Sequence, residues 1–112
     1  MLVSKPKCIV CNVENGRVTL RLEDERCRPM LSDLGGHCGR GKGQWLYECG
    51  DDRQVASLFA ALRDLDVPFQ GAESGWPPAE VFALFRERGL LQGPFLEAVC
   101  CGPKAGWSVR ER

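Results

Sequence analysis

Histidine, tyrosine and methionine are nearly missing from this chain of 112 residues, at one, one and two copies. A single histidine leaves little material for the positioned acid–base pairs on which hydrolytic sites rely. An excess of one charge is missing too, since fifteen basic side chains offset fifteen acidic ones and the formal net charge is zero. That balance supplies neither the basic surplus that wraps nucleic acid nor a polybasic patch for anionic membranes. No apolar run approaches the roughly 18 residues required of a membrane span. The opening Met1-Leu2-Val3-Ser4-Lys5-Pro6-Lys7 is broken before any signal-like apolar stretch forms. The expected class is a soluble, cytoplasmic, bacterial-type globular protein with no nucleic acid and no membrane among its partners.

The length argues for a single domain over residues 1–112, large enough to bury one hydrophobic core. Seven cysteines make the chain cysteine-rich. Their odd number, without an export signal, argues against a complete disulfide framework. In a reducing compartment such thiols are metal ligands, reactive groups or small buried hydrophobes.

The strongest local signal is Asn15-Gly16, the dipeptide favoured by two-residue type I′ turns because both positions need positive φ. Residues 8–13 and 17–23 flank it, and Val18, Leu20 and Leu22 alternate with Arg17, Thr19, Arg21 and Glu23. Folding about the turn pairs Glu14 with Arg17, Val13 with Val18, Cys11 with Leu20 and Ile9 with Leu22. That register makes Cys11 a core residue and turns Cys8 outward.

Residues 24–43 read as a long loop, with a single helical turn at 30–34 and five glycines between Gly35 and Gly43. Gln44 to Cys49 reads as a third strand with Trp45, Tyr47 and Cys49 on one side. Asp51 then caps a helix, and Gln54 completes a capping box. Val55, Leu58, Phe59, Leu62 and Leu65 form the apolar stripe of that helix. Residues 67–70 are extended, because the residue before Pro68 avoids the helical region. Pro77 and Pro78 open a second helix whose buried face is Val81, Phe82 and Phe85, and Gly89 ends it in a left-handed cap. Residues 95–101 and 107–111 supply two more strands across a turn at 102–106. The order β-β-loop-β-α-α-β-β predicts an α+β fold, with a largely antiparallel sheet of about five strands and two helices on one face.

Chemistry gathers in one stretch, His37-Cys38-Gly39-Arg40-Gly41-Lys42-Gly43-Gln44. It partly resembles the H-C-x-x-G-x-x-R signature of the cysteine-dependent protein tyrosine phosphatases, whose thiolate attacks phosphate within a cradle of amides. His37, Cys38 and Gly41 match, but Gln44 stands where the family has its phosphate-clamping arginine, and a strand follows where the family has a helix. The phosphatase reading is therefore rejected. What stays is a glycine-rich loop with exposed amides and the charges of Arg40 and Lys42, suited to a partner or a small anionic ligand. The C-x-x-C of Cys8 and Cys11 lacks a zinc turn, because Ile9 and Val10 form strand and residues i and i+3 face opposite sides. A scattered zinc site from Cys27, His37, Cys38 and Cys49 is the metal alternative. Cys100 and Cys101, adjacent on a strand, read as one packed and one exposed thiol.

The expected function is a binding or regulatory module, not an enzyme. It uses His37, Cys38, Arg40 and Lys42 and the adjoining sheet face to engage a protein partner, without a cofactor. The alternatives are a zinc-binding module, and a thiol enzyme or redox sensor with Cys38 as the reactive group.

Overall fold

The computed structural model describes residues 8–41, 43–71, 75–100 and 107–111, with backbone alone at 99, 100 and 107–111. Lys42, Cys101 and the 102–106 turn lie outside the described residues. The elements are β1 (Cys8–Glu14), β2 (Arg17–Leu22), a 3-10 turn (Glu25–Cys27), α1 (Arg28–Ser32), β3 (His37–Cys38), β4 (Gln44–Glu48), α2 (Asp52–Asp64), α3 (Pro78–Glu87), β5 (Leu96–Cys100) and β6 (Trp107–Glu111). The α+β class holds. The first four strands form an antiparallel sheet in the order β1-β2-β4-β3, and β5 pairs with β6. The stretch expected as one long loop contains the 3-10 turn, α1 and β3.

Residues 67–70 join the two sets of strands. Phe69 bridges Val10 of β1 and Glu97 of β5, parallel to both. Val10 N–H donates to Pro68 O at 3.0 Å, and Phe69 N–H to Leu96 O at 2.8 Å. Pro68 has no amide hydrogen to offer a ladder, so the bridge is short. It nevertheless makes β1 an interior strand, and both Ile9 and Val10 are fully buried, one on each face.

The hairpin turns at Asn15 (φ 51°) and Gly16 (φ 79°), as the dipeptide requires. A Cβ on Gly16 would lie 2.4 Å from the Cys49 carbonyl oxygen, so this glycine is required by space as well as by φ. The register agrees with expectation at Glu14–Arg17 and Val13–Val18, then departs from it. Asn12 opposes Thr19, Val10 opposes Leu20 and Cys8 opposes Leu22, because Cys11 is an extra residue in a β-bulge. The pairings Cys11–Leu20 and Ile9–Leu22 are thereby corrected. Cys8 enters the core at 2% exposure, whereas Cys11 is half-buried on the opposite face.

One core joins the sheet to α2 and α3. Val18, Leu20, Leu22, Trp45 and Tyr47 meet Val55, Phe59, Leu62, Phe82 and Phe85 in a single cluster. Phe59 lies at its centre, 5.0 Å from Phe69 and 5.3 Å from Phe82 between ring centroids. Trp76 is also buried, its indole N–H donating to Gln70 O at 2.8 Å. Leu65, expected in the α2 stripe, is exposed, and Leu58 is only half-buried.

The helix ends show why each helix stops. Asp51 accepts from Gln54 N–H at 2.9 Å, while the Gln54 side chain accepts from Gly50 N–H, one residue before the partner of a standard capping box. After α3, Leu90 N–H donates to Phe85 O and Gly89 N–H to Arg86 O, the paired bonds of a Schellman cap. The same pair ends α2, from Val67 to Leu62 and Asp66 to Arg63, with Asp66 holding the left-handed position at φ 63°.

Candidate functional site

The helices cover the sheet face that carries Val18, Leu20, Trp45 and Tyr47. Strand alternation sends Arg17, Thr19 and Arg21 of β2 and Gln44, Leu46 and Glu48 of β4 to the opposite face. There all of these but Arg21 floor an open groove of about 760 Å³, walled by Cys11, Asn12 and Glu14 on one side and by His37 to Arg40 on the other. The β1 wall is set by the bulge, which leaves the Cys11 Sγ 3.5 Å from Thr19 O. Charges of both signs line the groove. Arg17 and Glu48 pair at 2.9 Å across β2 and β4, each more than half exposed, and such a pair adds little stability.

The other wall is the β3–β4 hairpin. His37 opposes Leu46 and Cys38 opposes Trp45, so these neighbours take opposite faces of the sheet. His37 belongs to the groove face. The Cys38 thiol belongs to the helix-bearing face, where Arg28 of α1 brings a guanidinium nitrogen to 3.2 Å from the sulfur. Arg28 also pairs with Glu25, and that bond, followed by the charge of Cys38, pushes its guanidinium pKa up. His37 and Cys38 therefore form no nucleophile–base dyad despite their adjacency in sequence.

The glycine-rich turn is not an open cradle of amides. Gly39 N–H donates to Gln44 O at 3.0 Å and Gly41 N–H to Gln44 Oε1 at 3.2 Å, so two of the expected anion donors are occupied within the hairpin. Gln44, the residue that spoiled the phosphatase motif, is the one that closes this turn. Within residues 35–43 Gly36 has the tightest setting, at φ 84° and with a notional Cβ 2.6 Å from Leu46 O.

The scattered zinc set is not brought together. Cys27 is buried in the core with its Sγ 2.8 Å from Asp24 O, while His37 and Cys38 sit exposed at the sheet edge. Cys49, the residue after β4, lies four residues beyond Trp45, the partner of Cys38, roughly 13 Å at strand rise. Burial pushes the Cys49 thiol up in pKa, helped by Glu48 and Asp51. Among the described residues, no three His, Cys, Asp or Glu side chains are placed to share an ion.

Of the four expected binding residues, His37, Cys38 and Arg40 border the groove and Lys42 lies outside the described residues. Sequence reasoning missed Asn12, Arg17, Thr19 and Glu48. The alternation of β2 was enough to place Arg17 and Thr19 together on a polar face. Nothing in the sequence linked Arg28 to Cys38. Comparison with protein-family models, with curated proteins and with solved structures found no match to this chain.

Proposed function

We propose that this chain is a binding module that takes a polar, mixed-charge segment of a protein partner across the outer face of its four-stranded sheet. The observation that carries this reading is the groove itself. It is open and lined by Arg17, Arg40, Glu14 and Glu48 together with the hydrogen-bonding side chains of Asn12, Thr19 and Gln44. Interleaved charges of both signs favour register with a polypeptide over capture of a simple anion. Occupied glycine amides point the same way. Extended polypeptide laid along β2 and β4 presents alternate side chains on the same two-residue repeat as the side chains of the floor.

The test is selection of peptide ligands by display on the intact protein, followed by amide NMR mapping. Binding is expected to move the resonances of Cys11, Thr19, His37, Arg40 and Leu46. Thr19→Trp fills the groove from a strand position that tolerates an aromatic, and it should abolish binding without loss of fold. Ligands that instead perturb α2 and α3, or that bind the Thr19→Trp protein undiminished, would refute the reading.

A further inference from the structure

Register sets one residue of each strand side by side across the outer face, in rows. Glu14 of β1, Arg17 of β2 and Glu48 of β4 form the row nearest the first hairpin turn. Asn12, Thr19, Leu46 and His37 form the next row on that face. Gln44 and Arg21 belong to the third, and the bond from Gly39 N–H to Gln44 O brings Arg40 to that end.

Charge therefore changes along the strands. The first row sets two carboxylates against one guanidinium. Arg17 is held by Glu48 at 2.9 Å, whereas Glu14 makes no ion pair among the described residues. A recess of about 350 Å³ opens there, lined by Asn12, Glu14, Asn15, Arg17, Thr19 and Glu48. The middle row holds no carboxylate and no guanidinium. At the far end Arg21 is offset by Glu23 at 2.6 Å, but Arg40 is exposed and makes no ion pair among the described residues.

We propose that the groove is polarised in charge and selects extended segments that carry a basic side chain and a carboxylate four residues apart. The basic group lies over Glu14 and the carboxylate at Arg40. The inference rests on the groove reading above and adds to it the charge pattern and placement of the partner. The Glu48 and Gln44 rows stand four residues apart along β4, roughly 13 Å at strand rise. In an extended segment the first, third and fifth side chains share a face and span the same distance. The third falls over half-buried Thr19 and Leu46, where a β-branched apolar side chain fits a pleated surface. Either chain direction satisfies the pattern, because charge decides which end each side chain takes. A segment with two like charges meets repulsion at one end.

The experiment titrates the folded chain, by amide NMR, with four capped nonapeptides that are threonine at all but three positions. The parent has lysine third, valine fifth and glutamate seventh. In the others glutamine replaces the lysine, glutamine replaces the glutamate, or lysine replaces the glutamate. The parent should bind tightest, and each glutamine should weaken it about two- to fivefold at low salt, the range of exposed charge pairs. Salt at about 1 M should erase the difference. The peptide with two lysines should bind more weakly than the one with lysine and glutamine. Glu14→Gln should abolish the effect of replacing the lysine and keep that of replacing the glutamate, and Arg40→Gln should do the reverse. Peptides that shift the groove amides yet bind equally whatever their charge would overturn the polarity and leave the groove reading standing. A Glu14→Gln protein that still tells lysine from glutamine would do the same. Should none of the four move those amides, the polarity is overturned, and the groove reading falls only if display-selected peptides fail as well.

Discussion

Raising the pH should loosen this fold through Tyr47, and the chain's single tyrosine reports its own ionisation. Its side chain is buried at 4% exposure, and its hydroxyl donates to Leu31 O at 2.7 Å, joining β4 to α1. Burial is the main cause that pushes its pKa from 10 up to about 12. A hydrogen bond with Trp45 works against the rise, and the charges of Cys8 and Cys27 add to it. A tyrosine whose folded pKa is raised contributes its full stability below the unfolded value. In the unfolded chain the hydroxyl ionises near 10, while the folded protein still holds the proton. Stability must then fall as pH climbs from about 10 to about 12, by up to roughly 1.4 kcal/mol per unit and about 2–3 kcal/mol in all. Tyrosinate absorbance against pH gives the folded midpoint directly, and urea titrations at about pH 8 and about pH 11 give the linked stability. Tyr47→Phe separates this group from Cys27 and Cys49, whose raised pKa values act in the same direction. That variant should lose about 1 kcal/mol at neutral pH with the Leu31 bond, and show a shallower alkaline decline. A tyrosinate midpoint at about 10 in folded protein would refute the reasoning, since it would mean that the hydroxyl is solvated.

Phe59→Ala removes the ring at the centre of the aromatic cluster, where Phe69, Trp76, Phe82 and Phe85 all lie within 6.0 Å. Urea unfolding should show a loss of about 3–5 kcal/mol, and a loss below about 1 kcal/mol would contradict the placement of that ring. Cys8→Ala should cost about 1–2 kcal/mol, whereas Cys11→Ala should cost under about 0.5 kcal/mol, because only Cys8 is enclosed. The reverse ranking in thermal melts would restore the unbulged hairpin.

The hairpin shows where sequence legibility stops. Asn15-Gly16 located the turn, and alternation in β2 fixed two pairings correctly, since both signals are local. The bulge left no such trace. One added residue inside Cys8-Ile9-Val10-Cys11 still reads as ordinary strand, yet it shifts every later partner and exchanges the two cysteines between faces. The consecutive burial of Ile9 and Val10 was equally invisible, because it comes from a bridge to Phe69, far along the chain. Caps at Asp51 and Gly89 were readable because side-chain chemistry and positive φ act within a few residues. Glycines at 35–43 suggested an unstructured loop. Two of them instead hold a hairpin closed against Gln44, a pairing that depends on the β3–β4 register.

That short hairpin also bears on how a partner would approach. Strand addition needs an edge with unpaired amides and carbonyls along several residues. The outermost strand of the four-stranded sheet, β3, has two residues, and the His37 ring places Nδ1 3.1 Å from Cys38 O. An added strand would find little ladder there and would meet an imidazole at the carbonyl it needs. The broad outer face is different. Its floor is made by β2 and β4, paired at five positions from Arg17–Glu48 to Arg21–Gln44, so its side chains are held on a fixed spacing. A rigid floor lowers the ordering cost of binding, and the polar side chains above it supply register. For the proposed partner, an edge this short and this obstructed favours approach to the face, with the β3–β4 turn as its rim.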